Sequence, residues 1–415
     1  MFRNSARILL GAFMLSLGLS AQTFTTLFSF RSLGYGASDT LAGVIAGPEG
    51  VLYGISAGGG RWDMGTVYEL MPPSSPGAAW TQTVLHSFNS DARPIPHVGL
   101  VMGPNGTLYG AAGYPFYVTA FRLDPPTGTS TGWAYAVIYQ FSQTDGIPSG
   151  GLVFGPPVSY GQSLYGVTQV DGGNGAVYRL TPPPVAGGAW THTTLYTFPG
   201  GTKGSSPAGN LAVGAGGTIF GVTIDGGATA EPCTAGCGTV FSLAPPTAPG
   251  GPWTEGVLHA FEPQIDDGYE PQAGVLLGPG GILYGTTAAG GAGAGGIVFS
   301  LVLPAAPGAP MTETILHAFV FSADGKDPLA LVLGPDGVLY GTTEYAASTA
   351  SGIIFALMPP ASPGGSWTET ILHSFTNGAD GGSPDGLTLG PDGTLYGTNN
   401  TGGAHGEGTV FALMP

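Results

Sequence analysis

"LGPDGTLYGTNNTGGAHGEGTVFALMP" spans residues 389–415, and a near copy, "LGPDGVLYGTTEYAASTASGIIFALMP", spans 333–359. The earlier copy runs on into "PASPGGSWTETILHSF", whereas nothing follows the later one in this sequence. Aligning the chain on the aromatic of LYG gives Tyr53, Tyr109, Tyr165, Phe220, Tyr284, Tyr340 and Tyr396, spaced 56, 56, 55, 64, 56 and 56 residues apart. The long interval contains the insertion "ATAEPCTAGC" (228–237). Seven units of near-constant period identify a repeat architecture before any local reading is attempted.

Each unit reads as four short strands. In the last two copies these are "DGLTLG" (385–390), "TLYGT" (394–398), "GTVFALMP" (408–415) and "WTETILHSF" (367–375). All are rich in β-branched or aromatic residues and are bounded by Gly, Pro or Asp. "GPDG" at 334–337 and 390–393 joins the first strand to the second. Pro suits the second turn position, Asp tolerates the third and Gly takes positive φ at the end, which makes a tight hairpin. "GPEG" (47–50), "GPNG" (103–106) and "GPGG" (278–281) keep that chemistry. A Pro-rich link such as "PPASPGGS" (359–366) stops pairing between the third and fourth strands. Four-stranded antiparallel units at this repeat length predict an all-β, seven-bladed β-propeller. The third strand, as in "IIFAL" (353–357), is apolar on both faces, as blades stacked face to face require.

The fourth strand ends in Phe88, Phe141, Phe198, Phe261, Phe319 and Phe375, which makes six. The seventh lies at the other end, in "TFTTLFSF" (23–30), ending at Phe30. The N-terminal strand is therefore predicted to complete the last blade, closing the ring and removing exposed sheet edges.

Composition agrees with this. The 415 residues include 76 Gly and 37 Pro, yet 42% are hydrophobic, so the Gly and Pro punctuate turns and do not signal disorder. With 25 acidic and 9 basic residues the formal charge is -16. That argues against nucleic acid and against an anionic membrane surface. "MFRNSARILLGAFMLSLGLSAQTF" opens with Arg3 and Arg7, continues through an apolar run at 8–19 and reaches small residues before Gln22. It reads as a signal peptide over 1–21, followed by a single propeller over 22–415. No transmembrane segment is expected after cleavage, and the expected destination is secreted, extracellular or periplasmic. In an exported chain Cys233 and Cys237 are expected to pair as a disulfide. The chain is expected to be a monomer.

The recurring phrase, with LYGTT, GTVF, W-x-ET-x-LHSF and GPDG in order, resembles the GloVer family of bacterial exported tandem-repeat proteins. The resemblance covers residues 23–415 and implies export. It brings no established activity and no catalytic residues. The sorting tail common in that family finds no match in this sequence, which runs to Met414 and Pro415 within the last blade, so surface anchoring does not follow.

Two faces carry the loops. Strands alternate in direction, so the loops between second and third strands share a face with the links from each fourth strand to the next blade. These Gly- and Asp-rich loops are the candidate ligand face. They supply Arg61, Trp62 and Asp63; Tyr114 and Phe116; Asp266, Asp267, Tyr269 and Glu270; Glu344 and Tyr345; and His405 and Glu407. Aromatic plates beside carboxylates suit a glycan, and an extracellular protein is the other partner considered. The plainer alternative is that these are solvated loop residues.

No cofactor is expected. Asp145, Asp267, Asp324 and Asp380 precede Gly in the inter-blade links and invite Ca²⁺, but each loop brings too few oxygens, and Asp-Gly is ordinary turn chemistry. His86, His259, His317 and His373 occupy a position held elsewhere by Phe28, Tyr139 and Tyr196, so a flat ring with a local hydrogen bond is expected there, not catalysis. "GISAG" (54–58) matches a nucleophile pattern but lacks the strand-to-helix elbow. The sequence therefore favours a non-catalytic binding or cell-surface interaction scaffold. The alternative is a carbohydrate-active enzyme, a glycoside hydrolase or lyase, using carboxylates near the central channel.

Overall fold

The computed structural model describes residues 22–415 except 32–36, 41, 76, 90–98, 114–117, 129, 159–160, 170–172, 186, 249, 263–265, 304–310, 347–350 and 363. The predicted signal peptide, Tyr114 and Phe116 lie outside the described residues. No helix among the described residues is long and apolar enough to cross a membrane.

The chain forms the predicted seven-bladed propeller of four-stranded antiparallel sheets. Blade 1 has its second, third and outermost strands at Leu52–Gly59, Thr66–Met71 and Thr81–Ser87. Blade 4 runs Ser205–Val213, Ile219–Asp225, Thr239–Ala244 and Thr254–Ala260 from the axis outward. Blade 5 runs Val275–Leu277, Ile282–Thr287, Ala294–Val302 and Thr312–Val320, and blade 6 runs Lys326–Leu333, Leu339–Tyr345, Ile353–Met358 and Thr368–Ser374. In blade 7, Gly382–Leu389, Leu395–Thr401 and Thr409–Met414 are completed by Thr23–Ser29. Thr23 pairs with Met414 and Ser29 with Thr409, so the ring closes between the two ends of the chain.

The repeat letters have physical meanings. In the GPDG hairpins the first Gly N–H donates to the carbonyl of the residue after the turn, 2.8 Å in both Gly334→Val338 and Gly390→Thr394. The last Gly takes positive φ, 78° at Gly337 and 86° at Gly393. The glycine of LYG lies opposite the third-strand aromatic in every blade, as in Gly54↔Tyr68, Gly285↔Phe299 and Gly397↔Phe411. A Cβ there would meet that ring; at Gly110 it would sit 2.7 Å from Phe121.

Into the same ring comes the Phe that ends the outermost strand of the preceding blade. Phe88 meets Phe121 at 5.5 Å, Phe261 meets Phe299 at 5.3 Å and Phe319 meets Phe355 at 5.1 Å between centroids. Phe30 closes the circle against Tyr68 at 5.4 Å, edge to face. Buried residues accordingly gather between blades. The cluster containing Phe261 and Phe299 joins blades 4 and 5, and that containing Phe30, Tyr68 and Val410 joins blades 7 and 1. The Tyr of LYG reaches the Trp that opens the next blade's outermost strand, as in Tyr284–Trp367 at 6.4 Å.

A second ladder runs round the outer rim. His86 stacks on Tyr135 at 3.9 Å and Tyr139 on His192 at 4.7 Å, each pair spanning two blades. Three of the four histidines make the local hydrogen bond expected of them. His259, His317 and His373 bond through Nε2 to Asp267, Asp324 and Asp380 at 3.0, 2.9 and 3.2 Å. Tyr139 donates to Asp145 at 2.9 Å in the equivalent place. The Asp-Gly turns thus anchor the rings, and backbone N–H groups such as Glu262 and Thr376 donate to the same carboxylates. Cys233 and Cys237 are disulfide-bonded.

Candidate ligand site at the channel mouth

The first strands place Gly43, Gly99, Gly151, Asn210, Gly274, Ala330 and Gly386 round the axis, where they line a channel of two overlapping cavities of about 460 and 660 Å³. Small residues are needed because neighbouring backbones touch. A Cβ on Gly43 would lie 2.8 Å from Gly386 Cα. Asn210 Oδ1 accepts from Gly151 N–H at 3.1 Å, and Asn210 N–H donates to Ala273 at 3.2 Å, tying three blades together. The larger cavity opens towards the start of the first strands, on the Gly/Asp-rich loop face. Its polar lining includes Ser149, Gln272, Asn210 and Asp385.

Acids from three blades interact by charge near this opening, and one of them, Asp385, lines it. Asp327 and Glu270 each take a left-handed conformation, φ 61° and 60°, immediately before a proline. Ser206 and Ser383 do the same in blades 4 and 7, so the bend is a property of the repeat, and the acids are the departure. Burial, then the charges of Glu344 and Glu270, push Asp327 up to about 6 against the opposing pull of Lys326. Burial and the Glu344 charge push Asp385 up to about 6, opposed by a hydrogen bond from Asn400. Asp385 Oδ2 is buried and has no hydrogen-bond partner. Lys326 Nζ sits 4.7 Å from the centre of the Tyr345 ring and 5.1 Å from that of Phe321. The Tyr345 hydroxyl engages Glu344, and its pKa is raised chiefly by that bond. Glu270, Asp327, Glu344 and Asp385 are thus coupled by charge, and Lys326 offsets Asp327. Such a rim favours ligands rich in hydroxyl or amine donors.

Of the residues expected from sequence, Glu270, Glu344 and Tyr345 belong to this rim. Arg61 lies over the Trp62 ring at 5.0 Å on the second-to-third-strand loop of blade 1, a separate patch of the same face. Asp63 Oδ1 accepts from Gly59 N–H at 2.8 Å, capping its own turn. Asp267 is 2% exposed and bonded to His259, so it lies beneath the loop surface. Tyr269 is half-buried against the core shared by blades 4 and 5. His405 is exposed, and Glu407 bridges to Gly402 within its own loop. Ser56 is buried and bonded to Thr66 Oγ1 at 2.8 Å and to the Gly58 carbonyl, which is a structural assignment. Sequence reading missed Lys326, Asp327 and Asp385. Their signal was departure from the repeat: where Asp385 stands, other copies have Ala42, Gly150, Gly209, Ala273 and Leu329.

A sequence model of the Gloeobacter/Verrucomicrobia repeat matches residues 113–307 and 306–415. The chain belongs to this family. No curated protein matches. A protein of known structure from Lactobacillus plantarum is 15% identical, with 80% of this chain and 84% of that one covered at a TM-score of 0.51. A putative 6-phosphogluconolactonase from Bacteroides uniformis is 16% identical over 80% and 84% of the two chains, TM-score 0.47. A putative glucose dehydrogenase from Thermus thermophilus is 18% identical over 77% and 96%, TM-score 0.46. At these identities the likeness concerns the fold alone.

Proposed function

We propose that this repeat protein is an exported, non-catalytic binding propeller that takes a glycan at the channel mouth over blades 5 to 7. The observation that carries the reading is the unpartnered Oδ2 of Asp385, set beside Glu344 at a cavity of about 660 Å³. A buried carboxylate oxygen without a donor costs free energy, and a sugar hydroxyl supplies that donor. The cavity volume lies in the range of small-molecule sites. Glu344, Asp327 and Glu270 add acceptors, and Tyr345 adds an apolar plate with a polar tip.

A second reading is favoured by one feature. Asp385 is held protonated up to about 6 beside the Glu344 carboxylate, which is the pairing a glycoside hydrolase or lyase needs for acid and base. Glycan arrays with wild type, Asp385→Asn, Glu344→Gln and Trp62→Ala test both. Retention is expected in wild type and Trp62→Ala, and its loss in the two rim variants. Bound glycan recovered at its original mass supports binding alone, and shortened glycan supports the enzyme. Absence of any retained glycan removes the proposal.

A further inference from the structure

The outer rim holds a cluster unconnected with the channel. His259 Nε2 lies 3.0 Å from Asp267 Oδ2 and 3.5 Å from Glu313 Oε2. The three ligand-type atoms all lie within 4.8 Å of one another. They come from three segments: the outermost strand of blade 4, the turn that follows it, and the outermost strand of blade 5. Asp267 is 2% exposed, and the side chains of His259 and Glu313 are each 19% exposed. Asp267 Oδ1 also accepts from Gly268 N–H at 2.7 Å, and Glu262 N–H donates to Oδ2 at 3.1 Å, so the carboxylate is fixed in orientation. Glu313 Oε1 is buried and has no hydrogen-bond partner.

We propose that His259, Asp267 and Glu313 form a divalent-cation site, matched to Zn²⁺, that ties blade 4 to blade 5. One imidazole nitrogen and two carboxylate oxygens are a zinc donor set, leaving a fourth position for water. Ligand atoms about 2.0–2.2 Å from a tetrahedral zinc stand about 3.3–3.6 Å apart, close to the separations of His259 Nε2 from its two partners. The cation would neutralise two adjacent carboxylates and bring the buried Glu313 carboxyl into coordination.

The neighbouring interfaces sharpen the assignment. Between blades 3 and 4 the equivalent carboxylate, Glu255, already has a cation in Lys203 and accepts from Tyr196. At ring closure the equivalent residue is Phe24, stacked on His373. Blades 5 and 6 repeat the metal-type chemistry with His317, Asp324 and Glu369, and there too Glu369 Oε1 is buried without a partner. At the interface of blades 4 and 5 all three donors converge.

The test uses the purified chain, stripped with EDTA, dialysed and titrated with ZnCl₂ by calorimetry, with bound metal counted by mass spectrometry. Wild type is expected to take up zinc at His259 with micromolar affinity and to melt roughly 3–5 °C higher with it. His259→Tyr and Glu313→Gln are expected to lose one bound ion per chain and the thermal gain. Tyr is what the repeat itself uses at 139 and 196, so His259→Tyr is expected to keep the fold, checked by circular dichroism. Glu255→Gln is the control and retains the ion. No uptake by wild type at tens of micromolar zinc, or equal uptake in His259→Tyr and Glu313→Gln, overturns the site and leaves the cluster a hydrogen-bonded ion pair.

Discussion

The imidazole of His373 lies flat on the ring of Phe24, centroids 3.8 Å apart and planes 3° apart, although 349 positions separate them in the chain. Phe24 also reaches Phe375 and Phe411, each at 5.7 Å. The contact has two counterparts in His86 on Tyr135 and Tyr139 on His192, so ring closure uses the same rim contact that joins neighbouring blades. The difference is covalent: every other outermost strand follows its own sheet along the chain, whereas Thr23–Ser29 is held to blade 7 by strand pairing and side-chain contacts alone.

Ring closure should therefore be the mechanical weak point. Phe30→Ala removes a fully buried ring and is expected to cost about 3–5 kcal/mol; Phe24→Ala, half-buried, should cost about 2–3 kcal/mol. Denaturant midpoints give both values. Deleting 23–30 exposes the edge of Thr409–Met414, and light scattering should then report self-association. A monomeric deletion variant with an unchanged midpoint would show that the strand does not close the ring.

The glycine of LYG makes the packing claim sharp. In Gly341→Ala the new Cβ would run into the Phe355 ring and the Ala330 carbonyl, at 2.8 Å from the latter. Because Phe319 holds Phe355 from the neighbouring blade, the ring has little room to yield. A loss of about 2–4 kcal/mol is expected. Gly132→Ala, with nothing within 4 Å of the added atom, should stay within about 0.5 kcal/mol of wild type. Equal midpoints for the two variants would remove this account of the motif.

His86 gives a pH prediction. Burial lowers its pKa from the usual 6.5 to about 4. The unfolded chain therefore binds the proton first, and stability falls as pH drops from 6.5 towards 4. Allowing for partial exposure, the loss by pH 4.5 should be about 1–2 kcal/mol. His86→Tyr puts there the ring found at 139 and 196, and should flatten this part of the profile while changing little at pH 7.5. Parallel profiles for the two proteins between pH 7.5 and 4.5 would refute it.

The fold was legible because every repeated letter answers to a contact in its own or the next blade. Tyr284 meets Trp367, Gly285 makes room for Phe299, and Phe261 fills the space beside that ring. Repetition multiplies such signals sevenfold. The site was less legible for the opposite reason, since it is built from departures that each look like turn chemistry. "DP" at 327–328 and "DG" at 385–386 read as bends until the ring brings blades 5, 6 and 7 to one axis. Asp267 misleads in the other direction. It reads as a loop acid, but the His259 eight residues before it draws it beneath the surface.

Asp385 allows site and scaffold to be separated experimentally. Its pKa, raised from 3.8 to about 6, means that the folded chain holds the proton more tightly than the unfolded one. That contribution is complete below about 3.8 and is lost as pH rises through about 6, so at pH 8 the ionised group weakens the fold. Asp385→Asn keeps the shape, removes the charge and keeps an amide that can bond Asn400. After discounting for partial exposure it should stabilise the protein at pH 8 by about 1–2 kcal/mol, a rise in Tm of roughly 1–3 °C, with about half that gain at pH 5 and none below about pH 3.5. A residue kept at the expense of stability is one retained for function, so the same substitution should abolish glycan retention. Calorimetry at the two pH values, paired with the glycan array, reads both effects. A variant less stable than wild type at pH 8, with binding intact, would make Asp385 a structural acid and move the search to the Arg61–Trp62 patch on blade 1.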